Sequence, residues 1–463
     1  MNERKKGNMN EKVVLIGAGS AMFTQGLVSD VLRQGWEGEI ALVDIDPGAL
    51  EVAQRLVRKM LDAKGSSLRL SASTDRRDVL RDATVVISTI GVGGRDAWVK
   101  DVLIPRKYGI YHPVGDSVMP AGTSRALRLI PATVAIARDV MELAPRALFF
   151  NYANPMTAIC RGVRKETGAN MVGLCHGVHD VARVIAGHLG TTFDRLKYTA
   201  VGMNHFTWFT EVLVDGKDGM PRLIEVAAKK LGEGVNSKTL GRYFAEAGDS
   251  KEKQALSLGW PFTWELVRLF GAFPVPGDRH ITEFFPHMFS GKGAFFGKTL
   301  GLDAFSFERC IEGGTSIFEN MKKLAFSPDP LPGEYFDKCG GEHEQMTEII
   351  ESLRTNAGRR YNANLPNAGQ IPNLPKDSVV ECPAIAGSTG MCPVQTKPLP
   401  AGILGMLANR FQWVELTVEA ALEGSREKFV QALLIDGAVK SVETAYRLAD
   451  DLLAAQKEYL PQF

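Results

Sequence analysis

The sequence predicts an α/β protein with an N-terminal, Rossmann-type doubly wound parallel sheet over residues 1–195 and an α+β region over 196–463. Three observations predict it. Short apolar runs alternate with helix-period segments as far as Gly190. The first run ends in Gly17-Ala18-Gly19 and leads into a helix. Beyond Gly190 the rhythm changes to residues of period two, then to long helical stretches.

Lys12–Ile16 (KVVLI) reads as a strand buried on both faces, ended by Gly17. Ser20–Arg33 follows with Phe23, Leu27, Val31 and Leu32 on one helical face. Glu39–Val43 is the second strand, and Pro47–Leu61 a helix with proline in its first turn. Leu68–Ala72 reads as a third strand, Thr84–Thr89 as a fourth and Ala147–Asn151 as a fifth, with a long helix from Thr123 to Leu143 between the last two. Tyr198–Val214 alternates as antiparallel strands do, and Phe270–Gly301 is rich in glycine and proline. A helix at Glu342–Gly358 leads into NANLPNAGQIPNLP, read as two short strands around Asn/Pro turns. Gly402–Leu453 is strongly helical.

Composition narrows the function. Lys+Arg and Asp+Glu number 54 and 53, so no basic excess exists to hold a nucleic acid or an anionic membrane. No apolar stretch is long enough to span a bilayer. The opening MNERKKGNMNEK lacks the apolar run of a secretion signal, and six cysteines in 463 residues are too sparse for a disulfide scaffold. Both features lead to the expectation of a cytoplasmic protein.

Gly17 permits a tight turn, Gly19 allows close backbone approach to a pyrophosphate at a helix N-terminus, and Ser20 follows them. The third glycine of the usual dinucleotide fingerprint is replaced by Met22. Asp44, at the end of the second strand, is placed for the adenosine ribose hydroxyls and points to NAD, with Asp46 as its competitor. Gly91, Gly93 and Gly94 follow the fourth strand at the same sheet edge, with Arg95 next in line. Asn151 and Asn154, in NYANP, follow the fifth strand. Each is either a holder of sugar hydroxyls or a turn residue before proline.

Four further groups carry chemistry. Cys175 (GLCHG) and His205 (GMNHF) offer a thiolate and an imidazole to one divalent metal, or else a buried thiol and a core histidine. Pro276-Gly277-Asp278-Arg279-His280 places a general-base candidate beside an anion-binding arginine, or forms a solvated turn with an internal ion pair. Asp116, in a Gly/Pro-rich loop, either orients a hydroxyl or caps a backbone N–H. His112, His179, His188, His287 and His343 are assigned structural roles.

Together GAGS, LVDID, NYANP, GLCHG, GMNHF, PGDRH and NLPNAGQIPNLP resemble glycoside hydrolase family 4, the NAD- and metal-dependent glycosidases, over nearly the whole chain. The resemblance implies hydride transfer from C3 of the sugar to NAD+, loss of the acidified C2 proton, elimination of the C1 group, water addition and reversal. It implies a divalent metal, usually Mn2+, bridging O2 and O3, with Cys175 and His205 as ligands. Asp278 matches the C2 base of some members and Asn154 a substrate contact, while His176 stands where some members carry an aspartate proposed as general acid and is here either an acid or a substrate contact. A homodimer or homotetramer is implied as well.

Cys-His-Gly-Val after the metal cysteine resembles the members acting on unphosphorylated α-glycosides. Gly-Asp-Arg-His with Glu283-Phe284-Phe285-Pro286 is similar to α-galacturonidases, Arg279 or Arg95 then meeting a hexuronate carboxylate. Neutral α-glucosides and α-galactosides are the next reading. A 2-hydroxy acid dehydrogenase of the lactate/malate type shares the expected two-region arrangement, but the length of residues 196–463 argues against it.

Overall fold

A computed structural model of the chain describes residues 9–232, 260–289, 307–339 and 344–463. The expected start of the helix at Glu342, His343 and the end of the glycine-rich stretch lie outside the described residues. Thirteen strands form one sheet among those described. They are β1 (Asn10–Ile16), β2 (Glu37–Val43), β3 (Arg69–Ser73), β4 (Val85–Ser88), β5 (Leu148–Asn151), β6 (Met171–Gly173), β7 (Leu196–Met203), β8 (Phe206–Val214), β9 (Lys217–Asp218), β10 (Phe273–Val275), β11 (Arg359–Pro366), β12 (Val379–Gly387) and β13 (Gly390–Pro393). Their order is β10-β8-β7-β12-β11-β6-β5-β4-β1-β2-β3, with β13 on β12 and β9 on β8.

The strands β6-β5-β4-β1-β2-β3 pair in parallel. Val13–Ile16, Ile40–Val43 and Val85–Ile87 are buried throughout, as helices on both faces of a parallel sheet require. The antiparallel half joins the parallel one through a single residue pair, Asn364 of β11 opposite Gly173 of β6, and within that half β12 meets β7 through the single pair Glu381 and Gly202.

The parallel pattern ends before Leu196, where the sequence divides, yet the halves are interleaved. Helix Phe307–Phe326 packs on helix Pro47–Lys64, and Lys59 donates to the carbonyls of Leu324, Ser327 and Asp329 at 2.6–2.8 Å. Helix Glu344–Thr355 packs on both helix Thr24–Gln34 and β12.

Two helix starts differ from expectation. The first helix begins at Thr24, because Ser20 N–H bonds Gly17 C=O at 3.0 Å and Thr24 Oγ1 bonds Ala18 C=O at 2.7 Å, closing a turn first. The long helix begins at Met119, whose N–H is held by Asp436 at 3.0 Å. No described helix is long and apolar enough to cross a membrane.

Candidate active site

The Gly17–Ser20 turn is tied to the end of β2. Gly17 N–H and Ala18 N–H both donate to Val43 C=O, at 2.8 and 2.9 Å. Gly19 N–H donates to Asp44 Oδ2 at 2.8 Å. At Gly17, φ is +92° and an added Cβ would stand 2.9 Å from Ile90 N. At Gly19 it would stand 2.6 Å from the Ala49 methyl. Both positions therefore require glycine. Asp46 does not compete with Asp44, since its carboxylate caps helix Pro47–Lys64 by accepting from Gly48 and Ala49 N–H. Gly91 is exposed at the end of β4, facing the Arg125 guanidinium.

Beyond the ends of β4 and β5, at the carboxyl edge where open parallel sheets bind ligands, a polar cluster forms. Asp116 Oδ1 accepts from Ser117 Oγ at 2.7 Å, and Asp116 Oδ2 accepts from Asn154 Nδ2 at 3.1 Å. Ser117 Oγ lies 2.7 Å from His205 Nδ1. His205 Nδ1 and His280 Nδ1 are each 4.0 Å from Asp116 Oδ1, and the two rings lie 4.2 Å apart. Burial raises Asp116's pKa, but His205, His280, the Ser117 hydroxyl and Arg125 more than offset it, so the carboxyl is held below its ordinary value. Burial lowers His205 despite Asp116, and lowers His280 to about 3.

A second polar layer carries the thiol. Burial, then the Glu381 carboxyl, pushes Cys175 up to about 12, while the Gly177 N–H and the Asn204 amide pull it down. Asn204 also faces Glu381, whose pKa is pushed to about 7 by burial. Thr207 Oγ1 lies 2.5 Å from Glu381 Oε2, and Asn364 Nδ2 reaches Gly173 C=O at 3.3 Å and Glu381 Oε1 at 3.4 Å. The late Asn/Pro sequence thus buttresses both ligand-bearing loops.

Buried polar atoms here without a hydrogen-bond partner include Asn154 Oδ1 and His280 Nδ1, which both flank Asp116. Unpaired buried polar groups are costly, and their convergence marks a place for a polar ligand.

The predicted residues divide. Asp116, Asn154 and His205 come together, joined by His280, and Cys175 lies in the adjoining layer with Glu381 and Asn204. Asn151 takes the turn role instead, its side chain bonding Ala153 N–H and C=O. Asp278, expected as a base, is fully buried, and its two oxygens accept from Phe262 and Thr263 N–H at 2.9 and 2.7 Å. It holds the N-terminus of helix Pro261–Phe270. Burial raises its pKa to about 6 against those donors.

Arg95 is turned to helix Phe307–Phe326, its guanidinium 5.5 Å from the Phe318 ring. Arg279 donates to Pro113 C=O at 3.4 Å and to Cys310 Sγ. His176 precedes helix Gly177–His188, its Nε2 3.8 Å from Asp180. The sequence reading missed Ser117, Arg125, His280 as a cluster member, Glu283 and Glu381. Arg125 donates to Asn154 C=O at 2.9 Å, and Glu283 holds Val114 and Gly115 N–H at 2.9 and 2.8 Å. The one available signal was Ser117 beside Asp116.

The family 4 glycosyl hydrolase model matches residues 12–191, and the model of that family's C-terminal domain matches residues 200–439. This chain belongs to family 4 of the glycosyl hydrolases and is a glycosidase. It is similar to an α-glucosidase of Erwinia rhapontici (32% identity, 98% of this chain, 99% of the relative). An α-galactosidase of Bacillus subtilis (strain 168) is 29% identical, over 98% of this chain and 100% of the relative. An α-galacturonidase of the same strain is 28% identical, over 96% of each.

Among solved structures, a Bacillus subtilis protein described as a glucosidase, lplD, superposes with a TM-score of 0.78 at 26% identity, over 96% of this chain and 100% of that one. A 6-phospho-α-glucosidase from gut microorganisms, in complex with NAD and Mn2+, shares the fold at 18% identity and a TM-score of 0.79, over 98% of this chain and 100% of that one.

Proposed function

We propose that this glycosidase hydrolyses unphosphorylated α-hexosides by redox-assisted elimination, with NAD+ and a divalent cation such as Mn2+ as cofactors. The carrying observation is the buried cluster of Asp116, His205 and His280, with Asn154 Oδ1 and His280 Nδ1 left unpaired beside it and the Cys175 thiol in the adjoining layer. The glycine cradle, which a Cβ would fill, fits a pyrophosphate, and the thiol and imidazole fit a borderline divalent cation. Bound there, NAD+ supplies a hydride acceptor and the cation supplies charge against oxygens on C2 and C3.

The chain's own groups do the rest. Gly19 N–H on Oδ2 and Asp46 N–H on Oδ1 fix the Asp44 carboxylate, whose remaining lone pairs can take ribose hydroxyls. Asn154 Oδ1 accepts a sugar hydroxyl, and Arg125 fixes the Asn154 backbone through its carbonyl. Cys175 holds its proton while buried, and its thiolate would be favoured beside a bound divalent cation, the proton leaving to water. The family resemblance assigns the C2 proton to Asp278, whose carboxylate is committed to the helix cap. His280, whose Nδ1 stands 4.0 Å from Asp116, is the alternative acceptor in the cluster once a substrate and cation change its surroundings. His176, partly exposed just before helix Gly177–His188, remains the candidate acid.

Neutral α-glucosides or α-galactosides are favoured over α-galacturonides. Arg95 packs on Phe318 and Arg279 is engaged by Pro113 and Cys310, which leaves these cations committed elsewhere. The uronide reading rests on the α-galacturonidase relatives and on Arg279 standing next to His280.

The test is release of 4-nitrophenol from α-glucoside, α-galactoside and α-galacturonide, with and without NAD+, Mn2+ and a thiol reductant. Cleavage that needs NAD+ and Mn2+, with a primary isotope effect from deuterium at C2, supports the mechanism. Cleavage without NAD+ overturns it. The oligomer, expected to be a dimer or tetramer in the cytoplasm, is read from light scattering.

A further inference from the structure

His205 has two nitrogens, and the residues around it treat them differently. Nδ1 lies 2.7 Å from Ser117 Oγ, and Ser117 Oγ lies 2.7 Å from Asp116 Oδ1. A serine hydroxyl has one proton to give. A carboxylate only accepts, and Asp116 takes the Ser117 hydroxyl on Oδ1 and the Asn154 amide on Oδ2. The Ser117 proton is therefore spent on Asp116. What remains toward His205 is an oxygen lone pair, which pairs only with an N–H. In a neutral ring the proton must then sit on Nδ1, and Nε2 is left with its lone pair. No hydrogen bond engages Nε2 among the described residues.

We infer that Ser117, anchored by Asp116, is the positioning residue that fixes His205 as the Nδ1–H tautomer and so makes Nε2 its cation-binding atom. The inference rests on the proposed divalent cation and deepens it. It also decides between two sites. Asp116, His205 and His280 have donor atoms within 4.8 Å of one another and form a candidate three-ligand cation site. A cation bound to His205 Nδ1 on that side would have to displace Ser117. The relay keeps Nδ1 protonated and directs His205 to bind through Nε2, with Asp116 acting through Ser117 rather than as a ligand. A hydrogen-bonded partner on the far nitrogen of a ligating histidine is worth roughly 10–100-fold in metal affinity.

Two measurements test it. The first uses the metal-free full-length protein labelled with 15N-histidine. Long-range 1H–15N correlation, with His205 assigned by its loss in His205→Gln, reads the tautomer directly. The Nδ1–H pattern is expected, and an Nε2–H pattern overturns the inference whether or not the protein binds any cation. The second titrates Mn2+ alone, followed by the electron paramagnetic resonance of free Mn2+, into wild type, Ser117→Ala and Ser117→Thr. Ser117→Ala is expected to weaken binding roughly 10–100-fold and Ser117→Thr, which keeps the hydroxyl, to restore most of it. Wild-type affinity in Ser117→Ala overturns the inference. Should wild type itself bind no Mn2+, the cation reading fails, and the tautomer measurement still judges the relay.

Discussion

Glu381→Gln is expected to stabilise the protein at alkaline pH. Glu381 is fully buried on β12, and burial raises its carboxyl from 4.5 to about 7. The hydrogen bonds agree with a protonated group. Thr207 has one hydroxyl proton and two acceptors in reach, Met203 C=O at 2.9 Å and Glu381 Oε2 at 2.5 Å. If Glu381 carries a proton and donates it to Thr207, then Thr207 donates to Met203 and every atom is served. Glutamine reproduces that donor without titrating.

The sign follows from linkage. The folded pKa lies above the unfolded one, so stability is fully present below 4.5 and is lost as pH rises through 7. A rise from 4.5 to about 7, at about 1.4 kcal/mol per unit, amounts to about 3 kcal/mol. Urea unfolding of both metal-free proteins gives the difference between them, in which other buried groups such as Glu283 cancel. The advantage of Glu381→Gln should grow from under about 1 kcal/mol at pH 5 to about 3 kcal/mol at pH 8.5. A difference independent of pH, or a destabilised variant at pH 8.5, would refute the reasoning.

Asp44 and Asp46 should separate cleanly. Asp46→Ala removes the cap on helix Pro47–Lys64, costing about 1 kcal/mol in unfolding experiments while leaving NAD+ affinity unchanged. Asp44→Ala breaks the tie to Gly19 and should weaken NAD+ binding at least ~10-fold by calorimetry. Asp278→Ala strands the N–H groups of Phe262 and Thr263 in a fully buried place, at about 1–3 kcal/mol each. A melting point lowered by several degrees marks the cap, whereas unchanged melting with abolished turnover would return Asp278 to the chemistry.

Local physics made much of this protein legible in its sequence. A strand buried on both faces must be apolar throughout, so KVVLI, EIALV and TVVIST announce the parallel half without help from distant residues. Gly17 and Gly19 were legible from their place between a strand and a helix, although the groups a Cβ would strike, Ile90 at one and Ala49 at the other, come from elsewhere in the chain. Asp44 could be named because its position relative to Gly17 is set by one strand–helix–strand unit.

The chemistry of the cluster was decided elsewhere. Asp278 and His280 lie two residues apart in one polar turn, and no spacing rule says which faces the cleft. The helix Pro261–Phe270 takes the first, and the second is left beside Asp116. Asn151 and Asn154 divide in the same way, one closing its own turn and the other reaching Asp116, far along the chain. Glu381 and Asn364 carry no sign in the sequence of the loops they support, because β11 and β12 meet β6 and β7 through single residue pairs that only the assembled sheet creates. Hydrogen-bond partners and burial, which set the proton on Glu381 and the tautomer of His205, are properties of neighbours in space. A sequence names the donors and acceptors, and the fold determines which of them meet.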